Sequence, residues 1–302
     1  MMDINMNNTD AMASPVDMSP PFPGTYQPLI INACLTGMVH SKRDNPNLPV
    51  TAEEIVNNAL EVVAAGAGIL HLHVRDKEGR PTWQAGKYAP IIEGIRRHHP
   101  DVVICVTTSG RLFGAFEQRA AALELDGAAK PDMASLTTGS FNFPAVTSVN
   151  EPATIQQLAI KMQEKNILPE LEIFEPGMLN YVFYLVRKKI IRQPCYLNFI
   201  LGSLGTSGAR VLDLANMARD VPVDWIWAAA GIGRHQLPVN MAALVMGGHV
   251  RVGLEDNIYY NYKDKTLATN QSLVERIVRL ARELGREIAT PAYIRSCLGL
   301  RH

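Results

Sequence analysis

The sequence predicts a closed (β/α)8 barrel on three observations: eight short β-rich runs, a helix-period stretch after each, and strand runs that are apolar at nearly every position. Parallel strands covered on both faces by helices need apolar residues at both phases of the pleat. Eight such repeats in about 260 residues match the usual size of this barrel. The strand runs are 29–36, 68–75, 102–108, 133–138, 168–174, 196–201, 224–229 and 249–255. An open doubly wound sheet is the alternative. It calls for a glycine-rich phosphate turn after the first strand, and Cys34-Leu35-Thr36-Gly37-Met38-Val39-His40 is not one.

The first helix starts at Thr51, a capping hydroxyl followed by Glu53 and Glu54 at the positive helix end. Ile55, Ala59, Leu60, Val62 and Val63 form its buried stripe, and it stops at Ala65-Gly66. Further helices are expected at 88–98, 116–125, 153–166, 179–191, 212–219, 238–246 and 271–284. Residues 1–27 are rich in Met, Asn, Asp, Ser and Pro and contain no Lys or Arg, unlike a basic targeting peptide. They read as a flexible N-terminal arm that packs on a neighbouring subunit of a homo-oligomer, dimer or tetramer. Residues 28–302 read as a single barrel catalytic domain with a C-terminal extension.

Composition narrows the function classes. Among 302 residues, 29 Lys+Arg balance 29 Asp+Glu, so the chain lacks the positive footprint that nucleic acids or anionic membranes require. Although 47% of residues are hydrophobic, no apolar run approaches the roughly 18 to 20 residues of a membrane span. Cys34, Cys105, Cys195 and Cys297 lie too far apart for a zinc knuckle or dithiol motif. They are expected as buried thiols in a cytoplasmic protein.

Functional groups of such a barrel gather at the carboxyl ends of the strands. The second strand run carries His71-Leu72-His73, two imidazoles on one face and half of a zinc site; the competing reading is a pair of hydrogen-bonded core histidines. The eighth carries Arg251, Gly253 and Glu255 in alternation, followed by Asp256 and Asn257. Barrel closure sets strand 8 beside strand 1 and strand 1 beside strand 2, so Glu255 comes within reach of both histidines. Two His and one Glu leave a coordination position open, the mark of a catalytic zinc. The competing reading of Glu255 is an ion pair with Arg251 or Arg75.

Glu170 and Glu172 alternate on strand 5, and an inward Glu172 is expected to orient Asp256 for proton abstraction beside a carbonyl. Thr107-Thr108-Ser109-Gly110 and Ser135-Leu136-Thr137-Thr138-Gly139-Ser140 offer hydroxyls and amides for a carboxylate. The glycine-rich loop 202–208 leaves room for a long polar cofactor chain without being a nucleotide phosphate loop.

Several segments in order resemble the β-keto acid cleavage enzymes: Leu35-Thr36-Gly37, Asn47-Leu48-Pro49, residues 64–73, Gly79-Arg80-Pro81, residues 230–234, and residues 247–257. The resemblance runs from Pro28 to Pro291. It implies a (β/α)8 TIM barrel with a catalytic zinc on His71, His73 and Glu255, acting on a β-keto acid with acetyl-CoA as co-substrate. Acetoacetate and a new acyl-CoA would be the products. It implies Asp256 as the base, oriented by Glu172 with Arg251 nearby, and Thr107, Ser135 and Thr137 as substrate contacts. Members taking an amine-bearing substrate look to carry a glutamate where this chain has Val39, so the substrate tail is expected to be apolar or anionic, with His40 a contact for an anion. The rival functions are a metal-dependent hydrolase on the same barrel and a non-catalytic binding barrel.

Overall fold

The protein is described by a computed structural model covering residues 24–300. Among these, eight parallel strands close into a barrel: β1 (Ile31–Cys34), β2 (Ile69–Leu72), β3 (Val103–Val106), β4 (Met133–Thr137), β5 (Leu168–Ile173), β6 (Tyr196–Leu201), β7 (Ile226–Gly231) and β8 (His249–Val252). Strands follow each other in chain order and β8 returns beside β1, as the sequence predicts. The surrounding helices are α1 (Ala52–Ala65), α2 (Ala85–Arg96), α3 (Phe116–Ala120), α4 (Pro152–Glu164), α5 (Pro176–Arg187), α6 (Val211–Ala218), α7 (Gln236–Val245) and α8 (Asn270–Glu283). A further helix, α9 (Pro291–Leu298), forms the C-terminal extension.

Helix α1 opens as its sequence indicates. Thr51 Oγ1 accepts from the Glu54 amide at 3.2 Å and Glu54 Oε2 accepts from the Thr51 amide at 3.0 Å, a reciprocal cap. Alternation then divides the core in two. Outward residues such as Ile31, Ala33, Leu70, Leu72 and Ile104 pack under the helices. Inward residues Ile30, Ile69, Val103, Met133, Leu168 and Tyr196 fill the lower barrel, where Ile294 and Leu298 of α9 join them. Two residues further along each strand, the inward set turns polar: Asn32, His71, Cys105, Ser135, Glu170 and Asn198, all buried. That change of chemistry along the strands is what puts a site at the mouth.

Several boundaries differ from the sequence reading. Strand β8 ends at Val252 because Gly253 lies against β1: a Cβ there would stand 2.0 Å from the Cys34 carbonyl oxygen. The chain then turns, with the Asp256 and Asn257 amides donating to the Gly253 carbonyl, so Glu255 sits on a turn rather than on the strand. Strand β2 stops at Leu72, and Val74–Arg75 leaves the barrel to pair with Pro81–Thr82. The expected third helix is five residues long and runs into a 3-10 turn over Ala121–Glu124.

Residues 1–23 of the expected arm lie outside the described residues. Tyr26 and Gln27, assigned to it, are tied to their own barrel: Tyr26 Oη donates to the Val245 carbonyl, and the Gln27 carbonyl accepts from Arg286 Nε at 2.7 Å. The four cysteines are free thiols. No described helix is long and apolar enough to cross a membrane.

Candidate active site

Glu170 organises the floorward half of the site. Fully buried, it accepts from Asn32 Nδ2 (2.5 Å) and Asn198 Nδ2 (2.8 Å) on one oxygen, and from His71 Nδ1 (2.6 Å) and the Cys105 thiol (3.3 Å) on the other. A buried carboxylate survives only with such partners. Burial alone would raise its pKa, but the neighbouring His71, its hydrogen bond and Arg251 bring it down to about 2. With Nδ1–H given to Glu170, His71 turns the lone pair of Nε2 toward the mouth.

That nitrogen lies 3.3 Å from His73 Nε2 and 3.9 Å from Glu255 Oε2, and His73 Nε2 lies 3.3 Å from Glu255 Oε1. Four ligands about 2.1 Å from a tetrahedral ion stand about 3.4 Å apart, so this spacing suits a shared cation. Glu255 Oε2 is buried and has no hydrogen-bond partner among the described residues, so its lone pairs are available to a ligand of the opposite charge. The ion-pair reading of Glu255 holds, since its Oε1 accepts from Arg251 Nη2 at 2.8 Å, and that pairing leaves Oε2 free to serve as a ligand atom. Gly37 makes room for this carboxylate: at φ +63°, a Cβ would meet Glu255 Cγ at 2.5 Å.

Charge is divided unequally among these groups. Burial lowers the His71 pKa, yet the carboxylates of Glu170 and Glu255 override it and raise the group above its usual value. For His73 burial prevails over Glu255, and the pKa falls. Burial would raise Glu255, but His73, Arg251 and His71 pull it well below the ordinary carboxylate range. His71, Cys105 and Glu170 also cluster closely. Burial and the Glu170 charge push the Cys105 thiol well up, so it donates to Glu170 rather than binding a cation.

Arg251, 2% exposed, is the hub on the opposite side. Its Nε donates to Asp256 Oδ2 (3.0 Å), Nη1 to Glu172 Oε1 (3.3 Å) and Nη2 to Glu255 Oε1 (2.8 Å). Glu172 and Asp256, which the sequence reading pairs, each bond to Arg251, which stands between them, so an orienting effect of Glu172 on Asp256 would run through that guanidinium. Glu172 also accepts from Thr137 Oγ1 at 2.7 Å, and Asp256 from the Cys34 thiol at 3.1 Å. Burial, reinforced by Glu170 and opposed by Arg251, raises the Glu172 pKa.

These groups open into a cavity of about 250 Å³ lined by His73, Thr107, Thr137, Glu172, Arg251, Glu255 and Asp256, with Val39 and His40 at its side. Burial lowers the His40 pKa against the pull of Asp44. Ser135 is the expected contact that fails to reach the cavity: it is buried, and its Oγ accepts from the Thr108 amide at 3.2 Å. A larger hollow of about 440 Å³ at the other end of the barrel includes Arg96, Asp132 and Arg295, and there Asp132 pairs with both arginines.

Sequence reasoning passed over Glu170 as the support of His71, and Arg111, Phe141, Phe143 and Phe174 as cavity walls. The alternation of Glu170 with Glu172 was the available signal for the first. For the others the only hint was their place on loops and turns after β3, β4 and β5.

Fold and site together define a (β/α)8 barrel whose mouth holds two histidines and a glutamate close enough to share a cation, next to carboxylates paired with an arginine. The chain belongs to the beta-keto acid cleavage enzyme family, whose sequence profile matches residues 28–300. It is similar to the 3-keto-5-aminohexanoate cleavage enzyme of Fusobacterium nucleatum, 41% identical over 274 residues, which are 90% of this chain and 98% of the relative. A 3-oxoadipate:acetyl-CoA acetyltransferase of Cupriavidus necator is 37% identical over 280 residues, 91% of this chain and 95% of the relative. In fold it is similar to ObcA, solved as a ternary complex with a C4-CoA adduct and oxalate, at TM-score 0.74 and 20% identity, covering 84% of this chain and 68% of that one.

Proposed function

We propose that this protein is a zinc-dependent β-keto acid cleavage enzyme, an acyltransferase that condenses a β-keto acid with acetyl-CoA and yields acetoacetate and a new acyl-CoA. The observation that carries the reading is the convergence of His71 Nε2, His73 Nε2 and the Glu255 carboxylate, whose Oε2 has no hydrogen-bond partner among the described residues, at the cavity that His73, Glu255 and Asp256 line. Zinc on those three residues supplies a Lewis acid that polarises the oxygens of the keto acid and makes its α-proton more acidic.

The chain's own groups do the rest. Asp256, fixed by Arg251 and Cys34, removes the proton between the carboxylate and the ketone. The resulting carbanion forms a bond to the acetyl carbonyl carbon, and the CoA thiolate leaves. That thiolate attacks the original ketone carbon, and the carbon–carbon bond breaks with return of the proton to the departing acetoacetate. Thr107 offers its hydroxyl to the substrate carboxylate, while Thr137, whose hydroxyl donates to Glu172, lines the same cavity, and Glu172 also holds Arg251 in place. The loop 202–208, whose Ser203 lines the cavity, gives the pantetheine arm a path. Val39 has no charge to offer an ammonium, so the tail is not cationic.

A panel of β-keto acids with acetyl-CoA, followed by acetoacetate release, tests the reading. Asp256→Asn is expected to lower kcat about 10²- to 10⁴-fold with zinc content unchanged. Undiminished turnover takes Asp256 out of the mechanism, CoA-independent hydrolysis favours a hydrolase, and binding without turnover a non-catalytic barrel. A higher kcat/KM for 3-keto-5-aminohexanoate than for simple β-keto acids overturns the tail assignment.

A further inference from the structure

Two arginines line the cavity, and only one has its charge matched. Arg251 is surrounded by carboxylates, whereas the guanidinium of Arg111 donates to no carboxylate, carbonyl or hydroxyl among the described residues. It lies 3.7 Å over the ring of Phe143 and is half-buried. Burial lowers its pKa from a very high starting value, with Glu255 opposing, so it stays charged at neutral pH. An arginine whose forked donors are unused inside a ligand cavity is a site for a planar anion.

Its presentation is fixed. Thr108 Oγ1 donates to the Ser135 carbonyl (2.5 Å), Arg119 Nε donates to the Thr108 carbonyl (2.8 Å), and the Arg111 amide donates to Ser109 Oγ (3.3 Å). The loop is thereby pinned to β4 and α3, and the ring below fixes the plane of the guanidinium. Little ordering remains to be done when a ligand arrives. Around it Phe143, Phe174 and Ile200 form an apolar wall suited to methylenes.

We propose that Arg111 is a specificity-determining residue that binds a second carboxylate at the far end of the substrate, so that the substrate is a 3-oxo dicarboxylic acid with a short methylene spacer. The inference rests on the β-keto acid reading of the site. The same guanidinium chemistry suits a phosphate of CoA, and the test separates the two sources.

The full chain supplied with zinc is assayed with 3-oxoadipate and with 3-oxohexanoate, a monoacid of equal length. Wild type is expected to favour the diacid, and Arg111→Gln to lower the diacid-to-monoacid ratio of kcat/KM roughly 10- to 100-fold. Arg111→Lys, which keeps the charge without the fork, falls between them. Calorimetry with the unreactive pair adipate and hexanoate reads binding directly: adipate binds wild type and loses affinity in Arg111→Gln. An unchanged ratio with a raised KM for acetyl-CoA assigns Arg111 to a phosphate and overturns the proposal, as does a wild-type preference for the monoacid. If neither keto acid turns over yet adipate binding depends on Arg111, the proposed reaction fails and the anion site stands.

Discussion

Each end of the barrel buries an arginine beside a histidine, and the two pairs are built in opposite ways. At the mouth, Arg251 faces Glu172, Glu255 and Asp256, and His71 lies between Glu170 and Glu255. At the lower end, Arg286 is equally buried but donates to backbone carbonyls, those of Gln27 and Gly248 at 2.7 Å each. Burial brings its pKa down to about 10. His249 lies 3.3 Å from it and accepts the Ile30 amide at Nδ1, and burial with the Arg286 charge lowers its pKa to about 3. Carbonyls satisfy a guanidinium without giving the surroundings a group that exchanges protons. The lower pair is architecture; the upper pair holds opposed charges ready for chemistry.

The sharpest way to break this contrast is to remove each arginine in turn. Arg251→Met leaves buried carboxylates without their counter-charge and is expected to cost about 3–5 kcal/mol in denaturant unfolding, together with turnover. If Arg286→Met costs more, the contrast fails. Next comes Glu170→Gln, which takes from His71 the charge that orients its Nδ1–H. Zinc affinity, measured against a competing chelator, is expected to fall about 10- to 100-fold. Arg286→Met itself is expected to cost about 2 kcal/mol, from orphaned carbonyls, while kcat changes less than about twofold.

The smallest effect is in pH. His249 has a folded-state pKa of about 3, against about 6.5 when unfolded, so between those values the unfolded chain binds the extra proton. Stability therefore falls as pH drops through that window, by about 1 kcal/mol between pH 7 and 5.5, and His249→Gln removes that slope. His71 has the opposite sign in the metal-free chain: its raised pKa contributes stability at low pH that is lost as pH rises through the folded value. A wild-type minus His249→Gln stability difference that shrinks with rising pH would invert the comparison.

The barrel was legible in the sequence because two periodicities repeat eight times, and the triad because His71 and His73 share a face while closure brings β8 to β1. What was hidden depended on contacts between strands distant in sequence. Nothing local to Glu170 tells that Asn32, Asn198 and His71 converge on it, since those partners are assembled by register. Glu172 was assigned to Asp256 because a pattern of spacings does not show which cation stands between two acids. Arg111 belongs to no motif and gains meaning only from Phe143, which reaches it from another loop. Helix α9 carried an ordinary signal, Thr290 before Pro291, with the Thr290 hydroxyl accepting from the Tyr293 amide, and its effect on the barrel lay in the side chains it sends inward.

Those side chains have a further result. Ile294 and Leu298 fill the barrel from below, which leaves the cavity at the opposite end, among the loops that follow the strands. With the lower end filled, a small ligand seated against the imidazoles would be expected to enter ahead of a bulkier one and to leave after it, so that the shape of the vessel would set a queue for its visitors.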